Sequence, residues 1–365
     1  MKFESTAEQL HSAASLASRF TNKQANLPVL SSILIAAEGG SATLRATNLE
    51  CGVEVSLSAK VSNQGSVCVP TAPLLGFLSN THSKNVTLEL QGQILKLKTD
   101  RATASIKTVP HEDFPTLPKV SAEHSFALKA QDIARGLRST LHCAATSSVK
   151  PELQSVCIFG EAGKLYFAAT DSFRLSERCV PLTSKGSIRQ ILLPARNAAE
   201  LLRIIEGQSG DLEFYYSDNQ LSVHADRVYY TSRLVDGSFP NYRQIIPKEF
   251  ATEAVVLRED LSQALKSLAV FSDKFLQVSL TVDPKRKIVE LSSRNQDVGE
   301  EDVTLRAAVS GEESKMNFNS RYLGDGLAPI SGESVRLRLN GAGKAMVVKD
   351  AADDSFVYLA MPMNR

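Results

Sequence analysis

The sequence predicts an α+β protein made of three tandem copies of one unit, each with two helices packed on antiparallel sheets. Landmark motifs recur at steps of 123 to 125 residues. In each copy, two helix-like segments follow short apolar strands. Between these landmarks lie alternating runs such as Val86–Leu90 and Ile94–Lys98, which are typical of half-buried strands.

The first helix of each copy has an apolar stripe. Thr6 and Gln9 fit a capping box, in which the hydroxyl and the amide cover free backbone amides of the first turn. The apolar residues that follow fall on one face, namely Leu10, Ala13, Ala17 and Phe20. The matching helices of the other two copies are predicted at 129–141 and 258–271.

The second helix of each copy follows a strand that ends in Pro or Asn. Pro70, Pro194 and Asn319 mark these positions, at steps of 124 and 125 residues. Proline suits the start of a helix, because the amide that it lacks has no partner there. Two further pairs keep the same step, Thr47 with Thr170 and Phe114 with Phe239. We therefore predict three domains, 1–122, 123–250 and 251–365, each with about eight strands.

Charge and cysteine content limit the function classes. The 365-residue chain has 41 basic and 40 acidic residues, and its net charge of +1 argues against gripping nucleic acid by bulk charge. A local basic surface is still compatible with this balance. The five cysteines are odd in number and form no C-x-x-C pair, which favours buried thiols in a reducing compartment. No apolar run is long enough to span a membrane, so we expect a cytoplasmic protein.

Four motifs carry a resemblance that covers the whole chain. They are Asn26-Leu-Pro-Val-Leu30, Ala169-Thr-Asp-Ser-Phe-Arg-Leu175, the segment Leu234–Arg243 followed by Ile245-Ile-Pro247, and Met361-Pro-Met363. In order and spacing the chain resembles the bacterial DNA polymerase III beta subunit family, the replicative sliding clamps. The resemblance implies three copies of the DNA-clamp fold, with two chains joined head to tail in a six-domain ring whose helices line the hole.

The resemblance also implies the function and the partners. A clamp of this family is a processivity factor with no catalytic activity of its own and no cofactor. Its expected partners are a second copy of the chain, double-stranded DNA held without sequence preference, the alpha subunit of the replicative polymerase, the clamp loader and other proteins with a clamp-binding motif. No membrane partner is expected.

A peptide-binding pocket between the second and third domains is the first implied site. Methionines suit such a pocket because they repack against different ligands, and Arg174 could offer its donors to a carboxylate or a peptide carbonyl. The alternative is that Met361 and Met363 only cap the core of the third domain. The motifs assign the pocket to Leu153, Thr170, Ser172, Phe173, Arg174, Leu175, Pro240, Gln244, Ile245, Ala345, Leu359, Ala360, Met361, Pro362 and Met363.

DNA contact is implied for basic residues on or beside the six helices. A sliding contact needs weak attraction to phosphates, which releases counterions but reads no sequence. Solvated surface is the alternative for each of these residues. The candidates are Arg19, Lys23, Lys129, Arg135, Arg138, Arg196, Arg203, Arg258, Lys266 and Arg321.

A seam between two chains is the third implied site. It would pair an edge of the first domain with an edge of the third, which protects both edges and gives two identical interfaces. The candidates are Lys98, Arg101, Ala104 and Ile106 on one side, and Val270, Phe271, Glu300, Glu301 and Asp302 on the other. The alternative is that Val270 and Phe271 end a core helix within one chain.

Two other function classes compete with a clamp. An enzyme finds little support: Gly341-Ala-Gly-Lys344 lacks the first glycine and the Ser/Thr of a phosphate loop, and neither 111–113 nor His142-Cys143 has the spacing of a metal or nucleophile site. A non-enzymatic interaction scaffold that does not encircle DNA would share the repeats and the pocket. It would not require basic residues to collect on the helices.

Overall fold

The computed structural model describes residues 1–22, 27–120, 124–147, 149–182 and 188–363. The chain forms two compact units, Met1–Gln131 with Ala199–Leu234 and Asp132–Ala198 with Val235–Arg365. The predicted domain boundary near 122 lies outside the described residues. The boundary near 251 directly precedes a strand that begins at Thr252.

The first repeat contains two α-helices and nine strands among the described residues. In chain order they are β1 (Lys2–Thr6), α1 (Ala7–Ser18), β2 (Ser32–Glu38), β3 (Ser41–Thr47), β4 (Cys51–Ser58), β5 (Lys60–Asn63), β6 (Gly65–Pro70), α2 (Thr71–Ser79), β7 (Asn85–Gln91), β8 (Ile94–Lys98) and β9 (Thr103–Lys107). A short 3₁₀ helix, Pro28–Ser31, precedes β2.

The second repeat has the same order with eight described strands. They are β10 (Ser125–Lys129), α3 (Ala130–Thr140), β11 (Ser155–Glu161), β12 (Lys164–Thr170), β13 (Arg174–Pro181), β14 (Ile188–Pro194), α4 (Ala195–Ile205), β15 (Asp211–Tyr216), β16 (Gln220–Ala225) and β17 (Val228–Arg233). One 3₁₀ helix, Leu141–Cys143, follows α3, and another, Tyr242–Ile245, follows β17.

The third repeat again has nine described strands. They are β18 (Thr252–Leu257), α5 (Arg258–Leu268), β19 (Gln277–Asp283), β20 (Ile288–Asn295), β21 (Gly299–Arg306), β22 (Ala308–Gly311), β23 (Ser314–Asn319), α6 (Ser320–Leu327), β24 (Ser334–Leu339), β25 (Met346–Asp350) and β26 (Phe356–Ala360). A 3₁₀ helix, Ala269–Phe271, follows α5, so the helix predicted over 258–271 changes its winding for the last turn.

Each unit contains one large and one small antiparallel sheet. In the first unit the orders are β10-β15-β16-β17-β4-β3-β2-β6 and β5-β1-β7-β8-β9. In the second unit they are β14-β11-β12-β13-β26-β25-β24-β18-β22 and β21-β20-β19-β23. Each large sheet therefore joins strands of two repeats, through the pairs β4–β17 and β13–β26. This pairing explains why the second repeat is divided between the two units.

The predicted helix ends and buried faces are confirmed in several places. The Thr6 hydroxyl accepts a hydrogen bond from the backbone amide of Gln9 at 3.3 Å, which is the first of the two bonds of the predicted capping box. Leu10 and Phe20 are fully buried, and the Phe20 ring packs edge-on against Tyr230. Asn319 caps α6 by accepting hydrogen bonds from the amides of Arg321 and Tyr322.

The internal repeat extends to the turns. Asn48, Asp171 and Asn295 each accept a hydrogen bond from an amide two residues ahead, at equivalent hairpins before β4, β13 and β21. The Thr47 and Thr170 hydroxyls both donate to a carbonyl four residues ahead. The cysteines are free, four of them are buried, and Cys179 is half-buried.

Candidate functional site

An apolar floor lies within the second unit, on one face of its nine-stranded sheet. Leu175 of β13 is opposite Leu359 of β26, which is opposite Val347 of β25. These three side chains belong to one buried cluster. The rest of the cluster is Leu153, Cys157, Ala168, Leu192, Phe239, Tyr242 and Ala345. The floor thus combines strands of the second and third repeats with the connector between them.

Exposed apolar side chains surround this floor. Phe173 is 61% exposed, Ile245 58% and Met361 40%. Removing these apolar side chains from water by contact with a partner would lower the free energy. Several exposed apolar residues beside an apolar cluster are therefore typical of an interaction surface. The motif-assigned pocket residues are thereby divided between a buried floor and an exposed rim.

The C-terminal segment is tied down on two sides. The amide of Met361 donates to the carbonyl of Phe173 at 2.8 Å, and the amide of Met363 donates to the carbonyl of Asn317 at 2.8 Å. Ala360 is fully buried in the core of the third repeat, whereas Met361 projects to solvent. The core therefore ends at Ala360, and Met361 does not serve as its cap.

The turn before β13 fixes the position of Phe173. Ser172 has a φ of 77°, in the left-handed region, and Asp171 accepts hydrogen bonds from the amides of Phe173 and Arg174. Thr170 is buried and donates to the carbonyl of Arg174. Positive φ is costly for a residue with a Cβ, and the Asp171 acceptor offsets this cost by holding the turn.

Arg174 is already engaged within the chain. Its Nε donates to Asp171 at 3.0 Å and its Nη1 to Asp325 at 2.5 Å, while the guanidinium carbon lies 4.5 Å from the centre of the Tyr322 ring. These partners raise the pKa of the Arg174 guanidinium even though burial opposes its charge. In this conformation the donors at Nε and Nη1 stabilise the protein rather than face the apolar floor.

The connector after β17 forms the remaining wall. Tyr242 is buried against Phe239, with ring centres 5.9 Å apart, and its hydroxyl donates to Glu177. Beside it, Pro240, Gln244 and Ile245 are exposed. Pro362 and Met363 are partly exposed at the opposite end. The structure thus brings the motif-assigned pocket residues to one junction of the second unit.

The DNA candidates lie on or beside the helices, as their sequence positions require. In the first unit, Arg19 and Arg203 both bind the carboxylate of Glu200, at 2.7 Å each, and Lys129 is exposed at the end of β10. In the second unit, Arg258 is partly buried and donates to the carbonyl of Gly332. The exposed candidates of the second unit are Arg135, Arg138, Arg196, Lys266 and Arg321. Lys23 lies outside the described residues.

The seam candidates lie at free sheet edges. β9 ends the five-stranded sheet of the first unit, with Ile106 buried, Ala104 partly buried and Lys98 and Arg101 exposed nearby. In the second unit, β21 ends the four-stranded sheet and carries three acidic candidates, Glu300, Glu301 and Asp302. Val270 is 66% exposed and Phe271 is partly exposed, so neither lies in the core of its own chain.

Comparisons with known proteins agree with this architecture over the full length. Family models described as the N-terminal, central and C-terminal domains of the DNA polymerase III beta subunit match residues 1–118, 127–241 and 243–364. The beta sliding clamp of Synechococcus elongatus is 30% identical over 100% of this chain and 99% of its own. That of Escherichia coli K12 is 26% identical, with 100% of both chains covered.

The chain belongs to the DNA polymerase III beta subunit family. The crystal structure of the DNA polymerase sliding clamp from Bacillus subtilis has a TM-score of 0.95 at 22% identity, covering 100% of this chain and 99% of that one. The griselimycin-bound clamp from Pseudomonas aeruginosa also has a TM-score of 0.95, at 24% identity and full coverage of both chains. The three-copy clamp fold is thus confirmed, and family membership supports the predicted processivity function without catalysis.

The short motifs that could have belonged to an enzyme lack the surroundings that such chemistry needs. Gly341 and Gly343 have φ values of 85° and 77° and lie in the hairpin between β24 and β25, where no helix follows to bind a phosphate. Burial raises the pKa of the Cys143 thiol, which opposes formation of a nucleophilic thiolate. Within the described residues, no group of three or more His, Cys, Asp or Glu side chains could hold a metal ion. None of the described helices has the length and apolar character of a membrane span.

Sequence reasoning missed part of the floor and its supports. Val347, Tyr242 and Cys157 line the same cluster as the motif-assigned residues. Alternation along β25 gave a signal for Val347, because it is two residues from Ala345. Alternation also places Glu177 on the face of Leu175, but only the tertiary structure shows that it binds Tyr242 and Arg243 of the connector.

Proposed function

We propose that two copies of this chain form a closed ring that encircles duplex DNA and tethers replication proteins. The observation that supports it is the use of sheet edges. The strands of each repeat form two runs of paired neighbours, one ending in β4, β13 or β21 and the other ending in β9, β17 or β26. Two pairs of these edges, β4–β17 and β13–β26, are joined within the chain. Among the described strands, β21 and β9 have no such partner and are therefore complementary edges for a second copy.

The two joined pairs also predict the register of the seam. Val53 lies opposite Tyr230, and Ser176 lies opposite Tyr358. By their positions after equivalent turns, Glu301 of β21 corresponds to Val53 and Ser176, and Ala104 of β9 corresponds to Tyr230 and Tyr358. In the proposed seam, Glu301 therefore lies opposite Ala104 of the second copy, and Asp302 opposite Thr103.

Charge supports the same register. Thr103 is opposite Lys98 within its sheet, and Ser105 is opposite Lys96. In the proposed seam, Asp302 and Glu300 would extend these two rows, so each acidic side chain lies about 10 Å from a lysine two strands away. Opposite charges at this range favour one orientation and register over others. Exposed Val270 and partly exposed Phe271 would add apolar contact beside the strands.

A paired cysteine variant tests the ring. Thr103→Cys with Asp302→Cys places two thiols on directly opposite residues, and mild oxidation is expected to give a covalently closed dimer without reductant. Thr103→Cys with Glu301→Cys, one residue out of register and on opposite faces, is the matched control. Light scattering on the unmodified chain should give about twice 39.6 kDa. A monomer at micromolar concentration would overturn the ring.

The groove of the second unit is proposed to bind an extended apolar peptide from polymerase subunits, the clamp loader and other partners. The apolar floor and the exposed rim of Phe173, Ile245 and Met361 support this assignment. Removing 361–365 should abolish peptide binding and leave the dimer mass unchanged, because the proposed seam is elsewhere. Retained binding would show that the peptide uses another surface. This function places the protein in the cytoplasm, with duplex DNA as its nucleic acid partner.

A further inference from the structure

The wall of the proposed groove includes a segment with little structure of its own. Gln244 and Ile245 end the four-residue 3₁₀ helix Tyr242–Ile245. A helix this short has no independent stability. Ile245 is 58% exposed, so core packing does not fix it either. Its position therefore depends on its neighbours, namely Tyr242 and Ile246, which contact the floor cluster, and Arg243, which binds the sheet.

Arg243 attaches the turn across three neighbouring strands. Its Nη1 donates to Glu161 of β11 at 2.6 Å, and its Nε donates to Glu177 of β13 at 3.3 Å. Its guanidinium carbon lies 4.4 Å from the ring centre of Tyr166, on β12. Planar stacking with donation to two carboxylates is a geometry that arginine provides and lysine does not.

Glu177 connects this attachment to the floor of the groove. Its side chain is 13% exposed and accepts from both Arg243 and the Tyr242 hydroxyl. Leu175, two residues earlier on the same face of β13, is part of the floor. Glu177 and its strand therefore connect Arg243 and its turn to the floor by continuous contacts.

The equivalent junction of the first unit lacks this attachment. Its connector has Leu117 and Pro118 at the positions of Tyr242 and Arg243, counting from Pro115 and Pro240. Leu117 packs directly on the backbone of Gly52, where an added Cβ would lie 2.5 Å from Leu117 Cδ2. Glu54, which corresponds to Glu177, binds Arg45 of its own sheet instead. The arginine attachment thus occurs at the junction that carries the apolar groove.

We propose that Arg243 is a positioning residue of the peptide groove, holding the Tyr242–Ile245 turn so that Ile245 is presented to a bound apolar side chain. The inference rests on the proposed function of the groove. Arg243 need not touch the peptide, because its effect passes through Ile245. Without the two carboxylate contacts of Arg243, Ile245 would also adopt positions that do not contact the peptide. Binding would then have to order the turn, and this loss of conformational entropy lowers the affinity.

Peptide affinity of Arg243→Met tests this role. Methionine keeps the apolar stem over Tyr166 and removes the donors. The probe is a fluorescein-labelled peptide from the clamp-binding segment of the same organism's replicative polymerase, followed by anisotropy. We expect Kd to rise about tenfold, equivalent to about 1.4 kcal/mol. Arg243→Lys should recover part of this loss. Arg286→Met removes the ion pair between Arg286, in the turn from β19 to β20, and Glu290 of β20, and it should leave Kd unchanged.

A double-variant cycle separates positioning from general stability. If Arg243 acts through Ile245, Ile245→Ala costs less affinity in Arg243→Met than in the unmodified chain. If the rise in Kd of the double variant equals the product of the rises in the two single variants, to within about twofold, the two residues act independently and the inference is overturned. A Tm of Arg243→Met low enough to leave the chain partly unfolded at the assay temperature would also overturn it, because the weaker binding would then report a loss of folded protein. Failure of the unmodified chain to bind the probe would instead overturn the groove itself.

Discussion

At the scale of single residues, burial and local partners decide what a side chain can do. His142 follows α3 and stacks on Tyr358, with ring centres 5.9 Å apart. Its Nε2 is buried and has no hydrogen-bond partner within the described part of the chain. Burial lowers the pKa of His142 to about 4, a shift that the Asp325 carboxylate opposes and the Arg174 guanidinium favours. This residue is therefore neutral in the folded protein at pH 7.

Stability should consequently fall with acidification below pH 6.5. The unfolded chain binds a proton at His142 near pH 6.5 and the folded chain near pH 4, so the unfolded state is favoured as pH falls through this window. The loss between pH 7 and pH 5 is about 2 kcal/mol for this group. Urea unfolding of His142→Phe at both values should show a smaller pH dependence. His82→Phe, at an exposed position, is the control, and equal slopes in all three proteins would contradict the prediction.

At the scale of elements, the six α-helices of the described residues could be predicted because their apolar stripes and starting residues are local signals. Two glycines in these helices nevertheless differ in a way that only packing reveals. A Cβ on Gly136 of α3 would lie 2.4 Å from the fully buried ring of Phe167. A Cβ on Gly76 of α2 would meet nothing within 4 Å. The close approach of α3 to its sheet therefore requires glycine at position 136, whereas the packing of α2 allows a larger residue at position 76.

Substituting alanine at these two glycines should change the free energy of unfolding in opposite directions. Gly136→Ala is expected to lower the free energy of unfolding by about 1–3 kcal/mol, because the ring or the helix must shift. Gly76→Ala is expected to raise it by about 0.5–1 kcal/mol through better helix propensity. Both changes can be measured as shifts in the midpoint of denaturant unfolding, provided that the dependence of the unfolding free energy on denaturant concentration is unchanged. A neutral Gly136→Ala would mean that α3 can move away from Phe167 at little cost.

At the scale of the whole molecule, DNA binding should be topological and weakly electrostatic. The net charge of +1 excludes strong bulk attraction, and Glu200 already binds two of the candidate arginines. We expect loaded protein to remain on circular DNA and to leave when the circle is cut. The salt dependence should be shallow, because each phosphate contact contributes about 0.9 to the slope of log K against log salt.

Removing two candidate contacts should reduce that slope measurably. Arg135→Gln with Arg321→Gln is expected to lower it by about 2. Arg286→Gln, on a turn between β19 and β20 rather than on a helix, is the control and should leave the slope unchanged. The measurement is the equilibrium constant for binding to a short linear duplex, from which the ring can dissociate, over a range of salt concentrations. An unchanged slope in the double variant would remove Arg135 and Arg321 from the proposed DNA surface.

The three copies, the helices and most strands could be predicted from the sequence, because periodicity and capping act within a few residues. Family motifs supplied the rim and four of the ten residues of the floor, namely Leu153, Leu175, Ala345 and Leu359. The pairing of strands from different repeats could not be predicted in this way, and this pairing is the reason that the second repeat contributes to both compact units. Only the tertiary structure decided that Arg174 binds two carboxylates of its own chain and that Arg243 fastens the groove wall to Glu161 and Glu177. These contacts join residues far apart in the chain, and local patterns carry no information on which distant carboxylate a charged side chain will meet.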